Sequence, residues 1–229
     1  MSVNIKYKNN SIAELTDTGT KTLKTAGKYC EADIVVENTK DAGTDAEDGI
    51  VERTITTYTN NRVQSIGVRA FSDCSALTSV NFPAATTIRE RAFNYCTKLI
   101  SVNFPAVTFI GDLAFGGCSA LISVNFPAVT TIKVRAFSDC TKLTSANFPE
   151  ATTIGTYAFN GCSAITSVVL RKTDTICTLS GTSAFNNTPI KSGTGYIYVP
   201  DALVDQYKAA TNWSTYAANI KPLSEYTEV

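Results

Sequence analysis

Five cysteines recur with a strict period, at Cys74, Cys96, Cys118, Cys140 and Cys162, with Cys30 and Cys177 outside the row. Thiols cross-link, bind metals or attack electrophiles, and each use demands its own geometry. Side chains at one position of a stacked repeat lie about 4.8 Å apart with parallel Cα–Cβ directions. A disulfide needs Cβ atoms about 3.8 Å apart and turned towards each other. The cysteines are therefore expected to form a buried ladder of free thiols that act as small hydrophobes. The chain has no histidine and no C-x-x-C pair. That removes the usual zinc ligand sets, and with them imidazole acid–base catalysis and histidine-based triads. Asp73, Asp112 and Asp139 stand in corners where no close carboxylate pair can be argued. No Gly-rich phosphate loop joins a strand to a helix. No catalytic residue, metal or cofactor is expected.

Recognition is the remaining chemistry, and variation between repeats is the guide to it. Ser79, Asn81, Ser101, Asn103, Ser123, Asn125 and Asn147 recur on one strand, facing outward. Stacked amides and hydroxyls can hydrogen-bond a sugar, or they can satisfy one another. A second row varies more: Arg69, Arg91, Leu113, Arg135 and Tyr157. It forms a cationic and aromatic stripe suited to acidic groups, or else a merely solvated corner.

Positioning these rows requires a rigid periodic body. Phe71, Phe93, Phe115, Phe137 and Phe159 share the period of the cysteines. The third copy reads GDLAFGGCSALISVNFPAVTTI from Gly111. Its persistent apolar positions are Ala114, Phe115, Cys118, Leu121, Val124, Phe126 and Ile132. Val124 and Phe126 alternate with Ser123 and Asn125, the period of a strand with one buried face. Ala114, Phe115 and Cys118 suit a short helical or 3-10 corner. Pro127 ends the strand because it has no amide to donate. Thr130, Thr131 and Ile132 predict a second, shorter strand. Burying a large apolar side chain is worth roughly 1.5–3 kcal/mol, against about 1–2 kcal/mol of backbone entropy per ordered residue. One coil alone is therefore unstable, and neighbours must supply the rest.

The pattern Ala-Phe-x-x-Cys-x-x-Leu-x-x-Val-x-Phe-Pro-x-x-x-x-x-Ile resembles the BspA-type leucine-rich repeat over roughly residues 62–188. The resemblance implies a mainly β repeat solenoid that presents surfaces. It carries over no binding residue. Phe and Val stand where commoner leucine-rich repeats use Leu.

Flanking segments complete the expected layout. Residues 1–38 read as a small all-β module that opens with a hairpin of Val3 to Tyr7 and Ile12 to Leu15. Its stretch from Asp17 to Cys30 is similar to segments of phage and prophage tail-region proteins. Residues 39–49 read as a hydrophilic linker, because their spaced acids miss the calcium-loop pattern. Residues 50–188 form the solenoid, begun by a capping hairpin of Ile50 to Ile55 and Arg62 to Ile66. Residues 189–229 supply a strand and a short helical cap, with Asp201 as N-cap and Trp213, Tyr216 and Ile220 on the last rung.

Twenty basic and twenty acidic residues cancel, so no global field draws the chain to nucleic acid or anionic membrane. No apolar run reaches the length of a membrane span, and no signal peptide is recognisable at the N-terminus. Two functions compete. One is a non-enzymatic adhesion protein, virion-associated or on a cell surface, whose partner is a protein or envelope glycan of a bacterial surface. The other is an intracellular scaffold.

Overall fold

The structure, a computed structural model, describes residues 3–6, 12–15, 22–23, 57–59, 61 and 63–227, with backbone pairing alone before residue 57. Each rung contributes a three-residue strand, a two-residue strand and a third side made of turns. The short strands stack into one parallel sheet of seven, from Thr22–Leu23 through Ser65–Ile66 to Thr178–Leu179. Its register follows the repeat, as in Ile88 opposite Ile110 and Ile132 opposite Ile154. The longer strands also pair in parallel but form two sheets. Thr57–Thr59, Ser79–Asn81 and Ser101–Asn103 make the first. Ser123–Asn125, Ser145–Asn147, Ser167–Val169, Tyr196–Val199 and Ile220–Pro222 make the second. At the junction Val102 is only half-buried, whereas Val80, Val124 and Val168 are buried.

The third side is held as tightly as the sheets. Phe93 N donates to Ala114 O and Phe115 N to Ala136 O, both at 2.7 Å. Within each corner, bonds three residues apart close tight turns, as from Cys118 N to Phe115 O at 3.1 Å. That is the short-turn character expected after each Ala-Phe.

Two columns of phenylalanine fill the interior. Phe71, Phe93, Phe115, Phe137, Phe159 and Phe185 stack at 5.1–5.4 Å between centroids. Phe82, Phe104, Phe126 and Phe148 stack at 5.5–6.0 Å. The columns meet each other at steep angles, as at 65° between Phe104 and Phe115. Pairs of this geometry add about 0.5–1.5 kcal/mol beyond burial alone.

The ends depart from the sequence reading in two places. Val3–Lys6 and Ile12–Leu15 do pair antiparallel. The capping hairpin, however, does not form from its second arm. Ser65–Ile66 lies parallel between Thr22–Leu23 and Thr87–Ile88. Thr57–Thr59 meanwhile occupies the place that Ser79–Asn81 holds one period later. The segment is a degenerate rung ahead of the five repeats that has lost its Phe and Pro markers yet kept the period, so it stacks rather than folding back. Residues 24–56, which include the rest of the N-terminal module, the linker and the Ile50 arm, lie outside the described residues.

Asp201 is the second correction. It is the first residue of a 3-10 turn, Asp201–Leu203, and makes no side-chain cap. Its carboxylate accepts from Ser224 N at 3.1 Å, tying the tail to the cap, and hydrogen bonds from the Ser224 side chain and then its backbone hold the carboxyl below its ordinary pKa. The side chains of Trp213 and Tyr216, with Ile220, are buried against the last rung as expected. Trp213 Nε1 donates to Cys177 O at 2.6 Å, while Cys177 N donates to Tyr207 Oη at 2.8 Å. Asn212 Nδ2 donates to Leu179 O at 2.7 Å. The cap thus occupies polar groups that an open edge would expose. Among the described residues no helix is long and apolar enough to cross a membrane.

Candidate functional site

Arg69, Arg91, Leu113, Arg135 and Tyr157 occupy one row, and all five have a left-handed backbone, φ 54–58°. This conformation costs an L-residue roughly 1–2 kcal/mol and glycine nothing. Four residues further on, a second left-handed row holds Asp73, Tyr95, Gly117, Asp139 and Gly161. The two rows bend each rung outward and back. Between them the buried row of Ser72, Asn94, Gly116 and Ser138 forms a floor.

Arg91, Leu113, Arg135 and Tyr157 line one cavity of about 470 Å³, and Arg69 stands outside it. Glycines at both lower rows of the third rung open its centre. A Cβ at Gly117 would lie 2.6 Å from Tyr95 Cδ1, and one at Gly116 would lie 2.8 Å from Asn94 Oδ1. The Tyr95 ring therefore rests against Gly117 and stays 58% exposed. Arg135 sits over the Tyr157 ring at 5.3 Å, a cation–π contact that fixes its guanidinium. Arg91 Nη1 pairs with Glu90 Oε1 at 2.9 Å. Arg135 makes no ion pair among the described residues. Asp139 also lines the cavity.

Two polar groups in the floor stand out. Asn94 is 8% exposed and Ser138 is 4% exposed, both line the cavity, and neither side chain hydrogen-bonds another described residue. Their polar atoms are not among the buried unpartnered ones and so stay open to the cavity. They escaped the sequence reading, although a signal existed: the two residues after each Ala-Phe read Ser-Asp, Asn-Tyr, Gly-Gly, Ser-Asp and Asn-Gly, varying as the stripe does while Ala, Phe and Cys around them persist.

In the sheet-face row two asparagine pairs engage each other, while Asn147 Oδ1 is buried without a hydrogen-bond partner. Asn103 Nδ2 donates to Asn81 Oδ1 at 2.7 Å and Asn147 Nδ2 to Asn125 Oδ1 at 3.0 Å. Ser79, Ser101 and Ser123 sit in the same strands, exposed or half-buried.

Acid–base chemistry finds little support in the geometry. Asp73 and Asp139 share a repeat position three rungs apart, about 14 Å, beyond the roughly 9.5 Å of the widest paired carboxylates. Cys96, Cys118, Cys140, Cys162 and Cys177 are free and buried. Burial raises the thiols of Cys118 and Cys140 well above their ordinary pKa, which makes them poor nucleophiles. The free ladder fails at Cys74, which is disulfide-bonded. Stacking excludes bridges only between rung neighbours with parallel Cα–Cβ directions. Cys74 begins the row, and one period before it stands Glu52.

Parallel coils of 22 residues, lengthening to 26 between Phe159 and Phe185, around two phenylalanine columns define a leucine-rich-repeat solenoid. The model of the BspA type leucine rich repeat region, in six copies, matches residues 53–166 and 86–200, more than half the chain. The chain belongs to that family. No curated protein matches it. Among solved structures, a leucine-rich repeat protein from Bacteroides ovatus is 33% identical over 52% of this chain and 33% of its own, TM-score 0.46. The T. pallidum leucine rich repeat protein is 26% identical over 51% of this chain and 59% of its own, TM-score 0.46. A leucine-rich repeat protein from Eubacterium ventriosum is 23% identical over 59% of this chain and 44% of its own, TM-score 0.50, a likeness of fold. In each case the chain spans less than two thirds of the other's length. The family match begins at residue 53, so the resemblance of residues 17–30 to tail-region proteins gains nothing from it.

Proposed function

We propose that this chain is a non-enzymatic binding module that attaches its carrier, a bacterial cell surface or a phage tail, to a protein or envelope glycan. BspA-type repeats typically serve binding and adhesion. The carrying observation is the left-handed row. Each rung accepts an unfavourable backbone at a position where glycine would cost nothing, and uses it to hold Arg, Leu or Tyr at the surface. Glycine there would relieve the backbone at some cost in unfolded-state entropy and would leave the surface row without side chains. Partners act at the exterior of the coil, because the interior is filled by phenylalanine.

Fractionation tests the role. The source bacterium is separated into cytosol, envelope and released particles before and after prophage induction, and the protein is followed by mass spectrometry. Recovery on the envelope or with sedimenting particles is the expected result. Recovery in the soluble cytosol alone would overturn it in favour of an intracellular scaffold.

A further inference from the structure

We infer, on the footing of the surface-binding role proposed above, that the cavity at the corner of the second to fifth rungs is a site for an acidic saccharide chain lying along the solenoid axis. Its cations come from Arg91 and Arg135, two rungs apart, or about 10 Å at ~4.8 Å per rung. A linked pyranose advances by about one rung, so carboxylates on alternate sugars would meet the two guanidiniums. Arginine suits that task because its planar fork pairs with a carboxylate through two hydrogen bonds. Arg135 is held ready by Tyr157 at 5.3 Å and makes no ion pair among the described residues, whereas Arg91 would exchange its exposed pairing with Glu90 at 2.9 Å for the ligand carboxylate.

The rest of the wall selects a sugar over a bare anion. Tyr95, 58% exposed and braced on Gly117, offers an aromatic surface for the apolar face of a pyranose. Asn94 and Ser138, buried and without side-chain hydrogen bonds, offer an amide and a hydroxyl to ring hydroxyls. Gly116 keeps the Asn94 amide oxygen uncovered, since a Cβ there would press on it. Asp139 accepts hydrogen bonds from sugar hydroxyls but repels a dianion such as phosphate. A chain with a carboxylate on at least every second sugar fits this mixture.

Calorimetric titration of the full chain tests the site, with hyaluronan hexasaccharide and trigalacturonate as probes and their carboxyl-reduced forms as controls. At least one acidic probe is expected to bind, and its reduced form about tenfold or more weakly, the effect of losing a charge-assisted pair. Arg91→Ala with Arg135→Ala, and separately Tyr95→Ala, should each weaken binding at least about tenfold with an unchanged melting temperature. No binding of either acidic probe, or equal binding by wild type and double variant, overturns the site. Fractionation does not depend on this cavity, so a surface-located protein without saccharide affinity would sink the site and leave the binding role standing.

Discussion

The thiol of Cys118 donates to the backbone carbonyl of Phe93, one rung back, at 3.1 Å. Cys96 does the same to Phe71, Cys140 to Phe115 and Cys162 to Phe137, at 3.0–3.1 Å. The cysteine is thus a small hydrophobe with one donor, placed where a carbonyl of the third side still has a free lone pair. A thiol so engaged and desolvated stays protonated. The buried thiols should be silent to a water-soluble thiol reagent in the native protein and react together on unfolding. Cys118→Ala should cost about 1–2 kcal/mol in denaturant melts.

Phe115 tests the interior. It is fully buried between Phe93 at 5.3 Å and Phe137 at 5.2 Å. Phe115→Ala should cost about 3–5 kcal/mol in equilibrium unfolding. A loss below about 1 kcal/mol would be incompatible with a rigid, filled column.

The stripe should behave in the opposite sense. Arg135→Gly relieves a left-handed residue, at some cost in unfolded-state entropy, so stability should hold or rise by up to about 1 kcal/mol. Saccharide binding should fall in the same variant. A clear drop in melting temperature would mean that Arg135 serves the fold.

The C-terminal cap predicts an alkaline limit. Burial raises Tyr207 from its ordinary 10.0 to about 12, and Cys177 from 9.0 to about 12. Both groups hold their protons more tightly folded than unfolded, so their contribution is whole below about pH 9 and is lost as pH rises through about 12. Melting temperature should fall across that window, and less steeply in Tyr207→Phe. Trp213→Ala, which removes the donor to Cys177 O, should cost about 3–5 kcal/mol at neutral pH.

The body of the protein was legible because its period is strict: the counterparts of Phe115 and Cys118 return in all five repeats, and every one of them is buried. The rung ahead of the repeats was not legible, since Thr57–Thr59 keeps the spacing without the Phe-Pro signature and its parallel pairing is a property of neighbours. Asp201 looked like an N-cap by type and place. The residue it bonds, Ser224, lies 23 positions away, beyond the reach of a local pattern. The stripe was visible as a row of varying residues, but its cavity was not. Gly116 and Gly117 appear in sequence only as small residues, and what they uncover, Asn94 and Tyr95, belongs to the preceding rung.

The most direct measurement is amide chemical-shift mapping of the isotopically labelled chain during titration with whichever acidic saccharide binds. Perturbations centred on Asn94, Tyr95, Gly117, Arg135 and Ser138, with Asn81, Asn103 and Asn125 unmoved, are the predicted result. Shifts confined to the Ser-Asn strand face, or none at saturating ligand, would contradict recognition at the corner cavity.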